Sequence, residues 1–114
     1  MTEQELELQA VEASLEDTKQ YLEFSRSEER LADNADFKTL ILEGYFKDEA
    51  ARLTGILADP NMQDEINQRE IFSALKAISH LRQYLMHVRR TRNSIEASLQ
   101  ETEEYAEELR NGEV

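Results

Sequence analysis

Apolar residues recur at steps of three and four along the C-terminal half of the chain, beginning at Ile71. With Ile71 at heptad position a, ten of the twelve a and d positions up to Leu109 are Ala, Val, Ile or Leu. This spacing is typical of a supercoiled helix and predicts one long helix over about residues 61–111, with Gly112 as its stop. We expect this seam to mediate self-association. Its residues are Ile71, Ile78, Leu81, Leu85, Val88, Arg92, Ile95, Leu99 and Leu109.

The middle of the chain is richer in large apolar side chains. They recur at helical spacing over about residues 36–58, which predicts a second helix and the best-buried part of the fold. A first helix, over about residues 2–33, has only a narrow apolar stripe from Leu8 to Leu31, which Thr18, Ser25 and Glu29 interrupt. We expect this helix to need a partner. The predicted core comprises Phe37, Leu40, Ile41, Tyr45, Phe46, Leu53, Ile56 and Leu57.

Two stretches break the helical pattern. Pro60 cannot continue a helix from the residues before it, but it suits the first turn of a new helix. Asp59 is a good N-terminal cap, so the pair predicts a tight turn between helices. The short polar side chains of residues 33–36 compete for the local backbone, which predicts a kink or short loop with Asp36 as the next cap.

The Asp59-Pro60 turn divides the chain into arms of nearly equal length, and the predicted fold is all-α. One arrangement is a long antiparallel hairpin in which residue i faces about residue 119 minus i, so that apolar positions meet. The alternative is a compact three-helix bundle. We expect a single domain over residues 1–114, with three parts: an acidic N-terminal helix (1–34), a central helical hairpin core (36–85) and a C-terminal coiled-coil extension (86–114).

Composition excludes several kinds of chemistry. The 114 residues include no cysteine, which excludes disulfides, thiolate zinc sites and cysteine nucleophiles. No apolar run approaches the roughly 18 residues that a membrane span needs, and the acidic N-terminus does not resemble a signal peptide. We therefore expect no membrane interaction, and a location in a host cytoplasm or in association with a virion.

Basic residues cluster between His80 and Arg92, although the formal net charge is -12. This charge argues against nucleic acid as a direct partner, because phosphates would be repelled. In the hairpin register the cluster faces Glu28 and neighbouring carboxylates, which favours ion pairing within the chain or between copies; a phosphate contact is the alternative. Arg92 occupies an a position, where a polar residue sets register or oligomeric form. The candidate patch comprises Arg82, Arg89, Arg90 and Arg92.

No constellation of residues indicates catalysis, a metal site or a cofactor. His80 and His87 would lie about 10 Å apart along a helix, too far to share a metal ion. The glutamates of residues 101–108 are interpreted as a solvated acidic face, with weak binding of divalent cations as the alternative. Gly44 and Gly55 stand singly within the second predicted helix and are interpreted as points of close helix packing. We expect a protein that is not an enzyme.

Two stretches carry a resemblance to a known group of proteins. They are DFKTLILEGYFKDEAARLTGILADP, residues 36–60, and AISHLRQYL, residues 77–85. Their apolar spacing and the short motifs Glu-Gly-Tyr-Phe and Ala-Asp-Pro resemble those of small uncharacterised helical proteins of tailed bacteriophages. The resemblance implies a phage origin and carries no catalytic residues.

These observations favour a non-enzymatic helical interaction protein. We expect it to self-associate and to act in virion assembly, or as an adaptor or accessory factor of another protein. The alternative is an acidic protein that mimics DNA, or otherwise inhibits a host protein that binds nucleic acid.

Overall fold

The structure is a computed structural model that describes residues 2–112. All regular elements of these residues are helical, so the all-α prediction is confirmed. The last two residues of the predicted C-terminal extension, and residue 1, lie outside the described residues. The α-helices are α1 (Glu3–Ala32), α2 (Ala35–Phe37), α3 (Ala50–Leu57) and α4 (Glu65–Arg110), with a π-helix over Lys38–Glu49 and a 3₁₀ turn over Pro60–Met62.

Local side-chain hydrogen bonds set where α1 begins and where α2 follows it. The Glu5 amide donates to the Thr2 hydroxyl at 3.1 Å, and the Thr2 amide donates to the Glu5 carboxylate at 3.2 Å, which forms a capping box. Asn34 caps α2, because its side-chain oxygen accepts a hydrogen bond from the Phe37 amide at 2.9 Å. The prediction of Asp36 as the cap is therefore wrong, since the cap lies two residues earlier, at Asn34, and the helix restarts at Ala35.

The second predicted helix is not a regular α-helix. Its first half is the π-helix, in which hydrogen bonds span five residues instead of four, so residues three and four apart no longer share one face. The prediction of Leu40 as a core residue, which assumed α-helical spacing, is wrong, because Leu40 is 71% exposed. Phe37 and Ile41, predicted on the same spacing, are half-buried.

The predicted turn at Asp59-Pro60 is confirmed. The Asp59 carboxylate accepts from the Asn61 amide at 2.9 Å, and Pro60 begins the 3₁₀ turn. The long helix starts at Glu65, a few residues later than predicted, because Asp64 accepts from the Asn67 amide at 3.1 Å and ends the turn. Gln68 also holds this turn, which its sequence position did not predict: its side-chain amide donates to the Leu57 carbonyl at 3.0 Å and to the Met62 carbonyl at 2.7 Å.

The chain forms two compact units. We call residues 29–87 the central unit, and residues 2–28 with 88–112 the terminal unit. In the central unit, buried Leu53, Ile71 and Ile78 form the core, which confirms Leu53 as a core residue. Four other predicted core residues are partly buried against this cluster: Tyr45, Phe46, Ile56 and Leu57. In the terminal unit the buried apolar residues are Leu15, Leu22, Val88, Ala106 and Leu109.

The three glycines differ in backbone conformation and in the space around them. Gly112 has a φ of 70°, a left-handed conformation that ends α4 as predicted. An added Cβ at Gly55 would have no neighbouring atom within 4 Å, and one at Gly44 would meet the Thr39 carbonyl oxygen of its own π-helix at 3.2 Å. The interpretation of both as points of close packing between helices is therefore wrong.

Candidate functional site

The terminal unit contains an ionic cluster made of Glu28, Arg89, Arg92 and Ser25, in which Arg89 is exposed and the other three residues are buried. Arg92 donates to the backbone carbonyl of Ser25 at 2.8 Å and to the Glu28 carboxylate at 3.1 Å. Arg89 donates to the same carboxylate from two nitrogens, at 3.2 and 3.4 Å. The side chains of Glu28 and Arg92 are each 6% exposed, so both charges are removed from water. The predicted ion pairing of Arg89 and Arg92 with Glu28 is confirmed.

Electrostatics keep this cluster ionised. Burial raises the pKa of Glu28, but hydrogen bonds from Arg89 and Arg92 and their positive charges outweigh burial, so the pKa lies below its ordinary value. The Glu28 carboxylate in turn raises the pKa of Arg89. The arrangement binds the protein's own carboxylate and leaves Arg92 inaccessible to a phosphate.

Ser25 explains how a long charged side chain fits in the seam. Its side chain is fully buried, and its hydroxyl donates to the Leu22 carbonyl at 2.8 Å. Because serine is small, it leaves space for the Arg92 guanidinium and exposes a carbonyl to it. From the sequence, Ser25 was expected only to interrupt an apolar stripe; the available signal was a polar residue opposite the one arginine at an a position.

Three exposed ion pairs accompany the cluster. They are Lys19 with Glu103 at 3.6 Å, Arg26 with Glu96 at 3.8 Å, and Arg110 with Glu12 at 3.0 Å. Each joins residues within three positions of the predicted register, which confirms antiparallel pairing of the two helical segments in this unit. Since their side chains are about half exposed, each contributes little to the free energy of unfolding. The Tyr105 hydroxyl also donates to Glu7, and this carboxylate raises the pKa of Tyr105.

The four arginines of the candidate patch do not act together. Arg92 is buried and Arg89 is bound to Glu28, whereas Arg90 is exposed. Neither Arg90 nor Arg82 has an ion pair within the described part of the chain. The patch therefore lacks the continuous row of free guanidinium groups that phosphate binding would use.

The predicted self-association seam is largely covered inside one chain. Ile71 and Ile78 lie in the core of the central unit, and Val88, Arg92 and Leu109 are buried in the terminal unit. Leu85, Ile95 and Leu99 are half-buried, and Leu81 is the one seam residue that is exposed, at 39%. Association of two copies through the seam stays a prediction. With the seam covered in this way, Leu81 is its one exposed residue.

Exposed apolar residues are concentrated in the central unit. Of eight large hydrophobic residues that are exposed in the described chain, six belong to residues 29–87. They are Leu31, Leu40, Ile66, Phe72, Leu81 and Tyr84. The central unit is also the less charged one, with ten acidic and seven basic residues, against fifteen and six in the segments 1–28 and 88–114.

The described residues show no other arrangement that is typical of a catalytic or metal-binding site. An open cleft of about 550 Å³ in the terminal unit is lined by Val11, Ser14, Tyr105 and glutamates, without a histidine or lysine beside Ser14 to act as a base. His80 and His87 are exposed, and no group of three or more His, Asp or Glu could hold a metal ion in the part described. None of the described helices has the length and apolar character of a membrane span.

No protein-family model, curated protein or solved structure matches this chain. The resemblance of residues 36–60 and 77–85 to phage proteins therefore stays a prediction.

Proposed function

We propose that this protein is a non-enzymatic helical interaction protein that self-associates through its central unit. The observation that supports it is the concentration of exposed large apolar side chains in residues 29–87. Apolar side chains gathered on one part of a soluble protein are typical of surfaces that other proteins cover. If the phage resemblance is correct, the protein serves as a scaffold, adaptor or accessory factor in virion assembly.

Light scattering coupled to gel filtration tests this proposal, at low and high salt and over a wide range of protein concentration. We expect a dimer or larger oligomer that becomes more stable with salt, because salt screens repulsion between copies with a formal net charge of -12. A chain that remains monomeric near millimolar concentration under both conditions would contradict self-association.

Inhibition of a host protein that binds nucleic acid, by mimicry of DNA, is a second candidate. The observation that favours it is that five of the six basic residues of the terminal unit pair with its own carboxylates, namely Lys19, Arg26, Arg89, Arg92 and Arg110. The unit thus presents mainly acidic residues to a partner. A low-salt pulldown from host lysate should retain a DNA-binding protein that added DNA displaces; retention of none would exclude this candidate.

A further inference from the structure

One side of α4 in the central unit carries apolar residues that remain exposed. Ile66 is 65% exposed, Tyr84 is 54% exposed, and Leu81 and Ala77 are exposed as well. Residues at steps of three and four share one side of an α-helix, and Glu70 and Ser73 bridge the gap between Ile66 and Ala77, so the six positions form one stripe. We call it the α4 stripe, and its members are Ile66, Glu70, Ser73, Ala77, Leu81 and Tyr84.

This stripe borders a packed surface of the same helix. Ile71 and Ile78 of α4 are buried against Leu53 in the core of the central unit. Leu81 occupies a d position of the same heptad pattern, yet it is exposed. The apolar seam therefore continues past the residues that the chain itself covers, as in a helix that packs on partners along two sides.

We infer that residues 70–84 of the α4 stripe pack antiparallel against the same residues of a second copy, with the two Ala77 residues facing each other at the two-fold axis. This inference rests on the proposed self-association and specifies its surface. Small residues occupy the middle of the stripe, at Ser73 and Ala77, where two helices can approach closely. In this register Ser73 of each copy lies opposite the larger Leu81 of the other.

Polar complementarity decides the direction. Glu70 is the one charged residue of the stripe. A parallel pair would place the two Glu70 carboxylates opposite each other, which is destabilising. An antiparallel pair places each Glu70 opposite Tyr84 of the other copy, whose hydroxyl can donate to the carboxylate. The terminal unit already contains such a bond, from Tyr105 to Glu7.

The charge of the two units also favours a second copy at this position. Residues 29–87 have three more acidic than basic residues, whereas the remaining segments have nine more. Contact through the central unit therefore brings together the less charged parts of two identical chains, which lowers the repulsion that opposes association.

Single-cysteine variants of the full chain provide the test, because the chain has no cysteine of its own. Ala77→Cys should form an interchain disulfide under mild oxidation. Ser73→Cys should not, since its counterpart lies eight residues away along the helix, about 12 Å, and disulfides need Cα atoms within about 7 Å. Gln83→Cys, at an exposed position of α4 outside the stripe, measures random oxidation. Circular dichroism of the reduced variants checks that each remains helical.

The outcomes separate this inference from the proposed function. Cross-linking of Ala77→Cys alone, well above the Gln83→Cys background, supports antiparallel pairing. Equal cross-linking of Ala77→Cys and Ser73→Cys would show parallel pairing and overturn it. Background cross-linking of both, with a wild type that is oligomeric by light scattering, would overturn the stripe but leave self-association standing. A monomeric wild type would overturn both.

Discussion

The terminal unit and the central unit place charged and apolar residues in opposite ways. The terminal unit buries a carboxylate and a guanidinium, Glu28 and Arg92, in its interior and has three exposed ion pairs along the same two helical segments. The central unit buries a small apolar core around Leu53 and leaves six large apolar side chains exposed. A buried ion pair adds little stability compared with apolar packing, but it strongly penalises a wrong alignment. Paired buried charges therefore favour one helix register in the terminal unit, whereas the central unit leaves apolar surface exposed to solvent.

Of the changes that test this comparison, removal of the buried carboxylate should have the largest effect, on the stability of the terminal unit. Glu28→Ala leaves Arg92 buried without a counter-ion, so we expect the free energy of unfolding of the terminal unit to fall by about 3 kcal/mol. Chemical denaturation and hydrogen exchange of terminal-unit amides would measure the loss. Glu12→Ala is the matched control, because it removes the exposed partner of Arg110 and should cause a much smaller loss. Equal losses would contradict a special role for the cluster.

A charge placed on the exposed apolar surface should affect association instead of stability. Leu81→Glu introduces a carboxylate into the α4 stripe, and we expect the dissociation constant for self-association to rise at least about tenfold. Gln83→Glu adds the same charge two residues away, outside the stripe, and should change it little. Sedimentation equilibrium of both variants checks the prediction, which fails if the two lose association equally.

Acid should weaken the terminal unit through Glu28. Because its folded-state pKa lies below the ordinary value of 4.5, the unfolded chain takes up this proton first as the pH falls. The contribution is thus complete above about pH 4.5 and is lost as the pH drops through the lower folded-state pKa. Stability curves of wild type and Glu28→Gln should converge towards low pH. Parallel curves would show that Glu28 does not titrate with unfolding.

The smallest effect is expected from glycines within the central unit. Gly55→Ala adds a methyl group where no atom lies within 4 Å, so the free energy of unfolding should rise by about 0.5–1 kcal/mol. Gly44→Ala should gain less or lose stability, because its Cβ would lie 3.2 Å from the Thr39 carbonyl oxygen in the π-helix. Thermal melts of the two variants compare them directly. An equal gain would show that the π-helix yields easily at this position.

Helical periodicity and turn chemistry were enough to predict much of the fold. The heptad pattern gave α4, the Asp59-Pro60 pair gave the turn, and the hairpin register matched the ion pairs of the terminal unit. Leu40 was misplaced because the prediction assumed 3.6 residues per turn throughout, and no residue type signals a π-helix of twelve residues. Spacing along the sequence does not reveal that geometry.

The candidate site was only partly predictable for a similar reason. The pairing of Arg89 and Arg92 with Glu28 followed from charge and register. The role of Ser25 was signalled only by a small polar side chain opposite Arg92, because the group that accepts from Arg92 is a backbone carbonyl, which every residue has. Leu81 is exposed, although every other seam residue is buried or half-buried, because the central unit does not pack over it. The heptad position of a residue alone does not predict this difference.

The buried cluster has a consequence for how the chain folds when it is crowded with copies of itself. The contact between Glu28 and Arg92 depends only on their opposite charges and on helix register. The same contact could form between Glu28 of one chain and Arg92 of another. Only the high local concentration of one segment near the other keeps the pair within a chain. Refolding from denaturant at high concentration should therefore yield domain-swapped dimers in which one chain's Glu28 binds the other's Arg92, and dilute refolding should avoid them.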